Sequence, residues 1–228
     1  MEDKIAGKLK PSEVKRILIL QFGPIGDLLL STSYLEALIN KFPNAEVDHL
    51  VFEKNKVILE GHPLISEIVT MPRRKGWRYY VDRIKTFYQI RKRKYDLVID
   101  HKDVPGTVQM ALISGAPLKL GYKNGKGRKF YNLLADRGEI KYSASKKFDI
   151  LKPLGIEETE YSLYFKIKDE AKKYISEWLE KYNLDDKKLI CISPGSPVLG
   201  KAWNSGNFAR LADLILKNTD YKVILLWA

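Results

Sequence analysis

In the segment RILILQFGPIGDLLL, residues 16–30, Asp27 follows Gly23 and Gly26 at the point where an apolar run gives way to a helical pattern. Two glycines permit a tight turn and close approach by a ligand. A carboxylate suits the first turn of a helix, and one that faces a cleft could act as a general base. Asp is also a preferred N-cap, so spacing alone leaves both roles open. A second stretch, ISPGSPVLGKAWNSGNF, residues 192–208, sets Gly195, Ser196 and Lys201 between another apolar run and another helical pattern. Backbone N–H groups, a hydroxyl and an ammonium near a helix start can bind phosphate. The alternative is an ordinary glycine-containing loop with a solvated lysine. The first stretch has neither the glycine spacing of a dinucleotide fingerprint nor the G-K-[ST] of a P-loop.

Both stretches need elements to hold them at the open end of a sheet. Strand patterns fall at 16–22, 46–52, 67–71, 96–100 and 119–122, and helix patterns at 27–41, 54–61, 77–94 and 105–114. This alternation predicts an α/β fold with a parallel sheet covered on both faces. The helix over 77–94 has the clearest stripe, formed by Trp77, Tyr80, Val81, Ile84, Phe87 and Tyr88. That spacing predicts core packing. Trp203 is read as a packing residue as well.

The texture changes after Gly155. A strand is expected in EYSLYFKIKDE, then helix 170–182, strand 189–193, helix 207–217 and a strand from 221. The reading is two domains, 1–155 and 156–228. The second has a single β-α-β unit, too little to bury both faces of its own sheet, and is expected to be incomplete.

Formal charge is +12 and local. Residues 73–94 hold ten Lys/Arg against Asp82 alone, and residues 119–147 hold nine against Asp136 and Glu139. A polyanionic partner is one reading, and a solvated basic face the other. His49, His62 and His101 lie far apart, without the spacing of metal ligands. The one cysteine, Cys191, excludes an internal disulfide. No apolar run approaches the ~18 residues of a membrane span, and residues 1–16 lack the apolar core of a signal peptide. A cytoplasmic protein is expected.

The GxxGD opening, YDLVIDHKD at 95–103, LKLGYKNGKGRKF at 118–130 and ISPGSPVLGKAW at 192–203 resemble the ADP-heptose:lipopolysaccharide heptosyltransferases, glycosyltransferase family 9. The resemblance runs over almost the whole chain. It implies a GT-B architecture of two Rossmann-like domains, with the acceptor on the N-terminal one and the nucleotide sugar on the C-terminal one. It implies inverting transfer of a heptose or related sugar from an ADP-sugar to the acidic inner core of lipopolysaccharide, with no metal and no cofactor beyond that donor. Asp27 then matches the family's general base, Lys201 the basic residue at the donor diphosphate, and Gly195 and Ser196 the neighbouring phosphate loop. Arg73, Arg74, Lys75, Arg78 and Arg128 become candidates for binding the acidic acceptor. The remaining charge on the 77–94 helix would meet anionic lipid, placing the protein on the inner face of the cytoplasmic membrane.

Two departures stand out. Asn204 occupies the position where the family usually has proline, and the later Asp-x-Gly-x-x-His stretch is missing from these 228 residues. A truncated, non-catalytic remnant that still binds acceptor is therefore a competing expectation. A basic nucleic-acid-binding module is another, although no RNP, KH or helix-turn-helix signature accompanies the charge.

Overall fold

A computed structural model describes residues 4–5, 7–139, 141–196 and 199–226. The chain divides into two compact units, Met1–Lys166 and Ile167–Ala228. In the first, strands β1 (Arg16–Leu20), β2 (Glu46–Phe52), β3 (Glu67–Met71), β4 (Leu97–Asp100), β5 (Leu118–Tyr122) and β6 (Leu133–Ala135) build one parallel sheet. Their order is β3-β2-β1-β4-β5-β6. The chain works outward from β1 to β3 and resumes at β4 on the other side of β1. The β1–β4 boundary is thus the switch point where open α/β sheets hold ligands, beyond the carboxyl ends of the strands.

The apolar runs explain this sheet. Ile17 and Ile19 of β1 join Leu97, Ile99 and Phe148 in one core cluster, and Leu18 and Leu20 join Leu50 and Val98 in the other. Side chains alternate across a strand, so a strand buried on both faces must be apolar throughout.

Several expectations need correction. The single helix over 27–41 is two helices, α1 (Ile25–Leu30) and α2 (Leu35–Lys41). The Ser31 hydroxyl donates to the Leu28 carbonyl at 2.6 Å and that of Thr32 to the Leu29 carbonyl at 2.7 Å. Such local bonds compete with helix continuation. The break also buries Tyr34, whose hydroxyl meets His101 Nε2 at 2.6 Å. The helix over 54–61 is a 3-10 turn, Glu53–Ile58. EYSLYFKIKDE forms no strand; Tyr161 packs on Phe148 and Tyr164 on His62 instead.

The largest departure is α3 (Trp77–Lys92). Its buried residues are Asp82, Thr86 and Ile90, whereas Trp77 is 70%, Tyr80 66%, Ile84 66% and Tyr88 67% exposed. The inner face packs Ile90 and Phe87 on the core, Arg83 donates to Gln109 and Arg74 pairs with Asp82 at 3.6 Å, while Thr86 Oγ1 donates within the helix to the Asp82 carbonyl. Periodicity identifies one apolar face of a helix, but not what covers that face. Beyond it lie α4 (Pro105–Ser114) and α5 (Ser143–Lys146), then a 3-10 run, Lys147–Leu154, that closes the core.

In the second unit, α6 (Asp169–Lys181) precedes β7 (Leu189–Ile192), α7 (Ser205–Asn218) and β8 (Lys222–Leu225), with β7 and β8 parallel. Asn204 is the N-cap of α7, its side-chain oxygen accepting from the Gly206 N–H at 2.8 Å. That answers the departure from proline, because Asn is among the best caps. Asn204→Ala is expected to cost about 1 kcal/mol, read as a lower urea midpoint for the second unit. Trp203 is 52% exposed, edge-on to Phe208, so its expected burial is only partial.

Candidate active site

The turn after β1 is fixed from three directions. Buried Gln21 donates from Nε2 to the Asp27 carbonyl at 3.2 Å, and the Asn55 amide donates to the Gly23 carbonyl at 2.8 Å. The Lys102 side chain fills the space that a Cβ on Gly23 would occupy, with Nζ 2.8 Å from that point. Gly26, by contrast, has nothing within 4 Å of its would-be Cβ. A side chain at Gly23 would thus push the end of Lys102 aside, while Gly26 leaves an open approach beside Asp27.

Pro24, not Asp27, is the N-cap of α1. The Asp27 side chain is 41% exposed, with Oδ2 3.6 Å from Lys102 Nζ and Oδ1 3.6 Å from Lys147 Nζ. A carboxylate offers about four lone-pair sites, so it retains capacity for a hydroxyl. Lys102 follows β4 and Lys147 begins the 3-10 run, which puts the cluster over the switch point of the sheet. Burial pushes the Lys147 ammonium below the usual lysine range; the Asp27 charge opposes that shift and the Lys102 charge adds to it. Neither lysine stood out in the sequence. Lys102 lies within YDLVIDHKD, but only folding shows that it returns to Asp27.

The loop after β4 is braced from beneath. Asp100 Oδ1 accepts from the N–H groups of Lys102 and Asp103, and Oδ2 accepts from the Tyr131 hydroxyl at 2.6 Å. Asp103 Oδ1 accepts from the Gly127 N–H at 2.7 Å. Burial raises the Asp100 carboxyl above its ordinary range, against these hydrogen bonds.

Of the basic residues expected at an acceptor, Arg73 and Arg74 line a common cavity of about 410 Å³. Its floor is Phe22, Phe52, Met71 and Met110, and Tyr79 and Arg83 also border it. The Arg73 guanidinium lies 5.6 Å from the centre of the Phe52 ring. Lys75, Arg78 and Arg128 are exposed and do not line this cavity. Arg78 lies over Trp77 instead.

In the second unit, β7 delivers Ser193, Pro194, Gly195 and Ser196 to a loop, and Lys201 ends a 3-10 turn, Leu199–Lys201. Residues 197 and 198 lie outside the described residues. A Cβ on Gly195 would meet nothing within 4 Å, and Lys201 is exposed. Gly195 and Ser196 border an open groove of about 1040 Å³ walled by Tyr174, Trp178 and Ile224. Among the described residues, no group of three or more His, Cys, Asp or Glu could hold a metal ion.

The family model for glycosyltransferase family 9 (heptosyltransferase) matches residues 83–228. The chain belongs to that family. This family 9 chain is 26% identical over 227 residues to lipopolysaccharide heptosyltransferase 1 of Campylobacter coli, a match covering 93% of the chain and 64% of that relative. It spans about three-fifths of the length of the curated relatives it matches. Among solved structures, a glycosyl transferase family 9 protein from Veillonella parvula DSM 2008 superposes with a TM-score of 0.83 at 24% identity, covering 94% of this chain and 63% of that one. The ADP-heptose lps heptosyltransferase II of E. coli gives 0.68 at 18%, covering 92% and 63%. The family 9 fold is therefore the GT-B type expected, with a six-stranded Rossmann-like sheet and one β-α-β of a second Rossmann-like unit.

The glycines around Asp27 offer a direct check of this geometry. Gly26→Ala should leave the melting temperature equal or slightly raised, since Ala favours a helix by up to about 1 kcal/mol. Gly23→Ala should displace Lys102 and reduce activity with little unfolding. Equal melting temperatures and equal activities for the two variants would contradict it.

Proposed function

We propose that this chain carries the acceptor-side machinery and the donor phosphate loop of an inverting, metal-independent heptosyltransferase. The observation that supports this best is Asp27, half-open at the β1–β4 switch point and flanked by Lys102 and Lys147. In this reading Asp27 takes the proton of an acceptor sugar hydroxyl as its oxygen attacks the anomeric carbon of an ADP-sugar. The new glycosidic C–O bond forms on the face opposite the leaving diphosphate, and the old bond to phosphate oxygen breaks. Lys201, the Ser196 hydroxyl and the N–H groups around Gly195 take up the charge left on the diphosphate. Lys102 and Lys147 are positioning residues that fix the carboxylate.

The acceptor fits as the acidic inner core of lipopolysaccharide. Arginine forks at Arg73 and Arg74 suit its carboxylates and phosphates, and the apolar floor of their cavity suits the faces of sugar rings. The donor is the only small molecule this chemistry requires. The same reading places the protein on the inner, anionic face of the cytoplasmic membrane; no described helix is long and apolar enough to cross it.

The test is transfer from ADP-heptose to inner-core oligosaccharide by the purified protein. Turnover that falls with Lys201→Ala and Arg73→Glu supports the reading. Oligosaccharide binding that is lost in R73E/R74E, without turnover in any form, would identify an acceptor-binding remnant. Tight, salt-dependent RNA or DNA binding with neither activity would overturn both.

A further inference from the structure

Helix α3 carries its polarity inside out. The side packed on the protein holds Asp82, Thr86 and Ile90, while Trp77, Tyr80, Ile84 and Tyr88 face outward. At 100° per residue, Trp77, Ile84 and Tyr88 fall within a sector of about 40° at the outer pole. Arg91 borders that sector on one side, and Arg78, Lys85 and Lys92 on the other, all exposed. The sole carboxylate of the helix, Asp82, is buried and paired with Arg74, so the outward face presents no negative charge.

Exposed apolar residues scattered singly need no explanation, but a continuous stripe does. Its chemistry is specific. Tyr and Trp belong at a boundary that is apolar on one side and wet on the other. Long basic side chains on the Arg78, Lys85 and Lys92 flank reach back to anions at that boundary while their stems cover apolar surface, whereas Arg91 opposite donates to the Ser114 carbonyl at 3.4 Å. A protein partner would require acidic side chains opposite the arginines and lysines. An anionic bilayer supplies phosphates and an apolar layer in one surface.

We propose that the outward face of α3 is an interfacial membrane-binding surface. The helix lies in the plane of an anionic bilayer, with Trp77, Tyr80, Ile84 and Tyr88 at the boundary between headgroups and acyl chains and the flanking basic residues on lipid phosphates. This deepens the glycolipid reading by naming the surface that docks, but it requires no sugar transfer. Asp82, buried, pairs at 3.6 Å with the exposed Arg74, which ties the start of this helix to the cavity that Arg73 and Arg74 line.

The experiment is co-sedimentation of the full chain with extruded vesicles of phosphatidylcholine containing 30% phosphatidylglycerol (about a third anionic lipid), against pure phosphatidylcholine. Binding to the anionic vesicles is expected, with a blue shift in tryptophan emission that Trp77→Phe removes. The double variant I84E/Y88E changes two solvent-facing residues. It should keep the wild-type circular dichroism and melting temperature while losing partition about tenfold or more. Binding that is lost with R78E/K85E yet unchanged in I84E/Y88E would show charge attraction without insertion and overturn the proposal. So would no binding by the wild type, or a wild-type dimer that I84E/Y88E converts to monomer. Turnover on water-soluble acceptor is measured in parallel, so failure here is separable from failure of the transfer reading.

Discussion

Asp27→Asn should lower sugar transfer by about 10²–10⁴-fold, the usual contribution of a positioned general base. The amide keeps the shape of the side chain and removes its basicity. Asp27 is not the N-cap of α1 and its side chain is 41% exposed, so stability should move by no more than about 0.5 kcal/mol. Donor affinity should be unchanged, because the residues assigned to the diphosphate belong to the second unit. The measurements are initial rates at saturating ADP-heptose, a melting curve and an ADP titration. A variant that turns over normally would remove the base assignment and leave Asp27 as an anchor for two lysines. A variant that melts far lower would show that the cluster is structural.

A second large effect is expected on acidification. Burial pushes the His49 imidazole down to about 3 in the folded chain, with a smaller push from His62. An unfolded histidine takes up its proton near 6.5. Between those values the folded state binds fewer protons. The stability from keeping His49 neutral is therefore complete above about pH 6.5 and is lost as pH falls toward 3. At pH 5 the loss from His49 alone is about 2 kcal/mol. Burial shifts His101 and His62 in the same direction. Asp48 and Asp100, raised by burial, act in the opposite sense. The contribution of His49 is isolated by comparing urea midpoints at pH 7.5 and 5.0 for wild type and His49→Leu. Neither ring nitrogen of His49 has a hydrogen-bond partner among the described residues, so the substitution should cost little at pH 7.5. It should narrow the pH difference by about 2 kcal/mol; an unaltered difference would refute the assignment.

Much of the first unit was legible because its strands are buried on both faces. The runs at 46–52 and 67–71 coincide with β2 and β3, and 105–114 coincides with α4. The strand β6 and the short helices after it were not seen, since Leu133–Ala135 is too brief for a period to register. Hydroxyl groups at Ser31 and Thr32 split a helix whose apolar spacing runs on without interruption. At the candidate site, the turn that carries Asp27 could be read from two glycines and an aspartate. Lys102 and Lys147 could not, because their approach to Asp27 depends on strand order. The order β3-β2-β1-β4 brings the end of β4 beside the end of β1, across almost 80 residues of chain.

The core cluster that includes Ile17 and Ile19 also takes in Ile5 at one end of the first unit and Ile156 at the other. Vectorial synthesis gives that span a consequence. The sheet cannot finish packing until residue 156 has left the ribosome, and from that moment it lacks only the covering contacts of Tyr161 and Tyr164. Domains fold as units during elongation at about 5–20 residues per second. The cavity lined by Arg73 and Arg74 and the Asp27 cluster would thus be assembled seconds before the loop containing Ser196 and Lys201 has emerged. A nascent chain arrested between those points would already display the Arg73–Arg74 cavity and the Asp27 cluster.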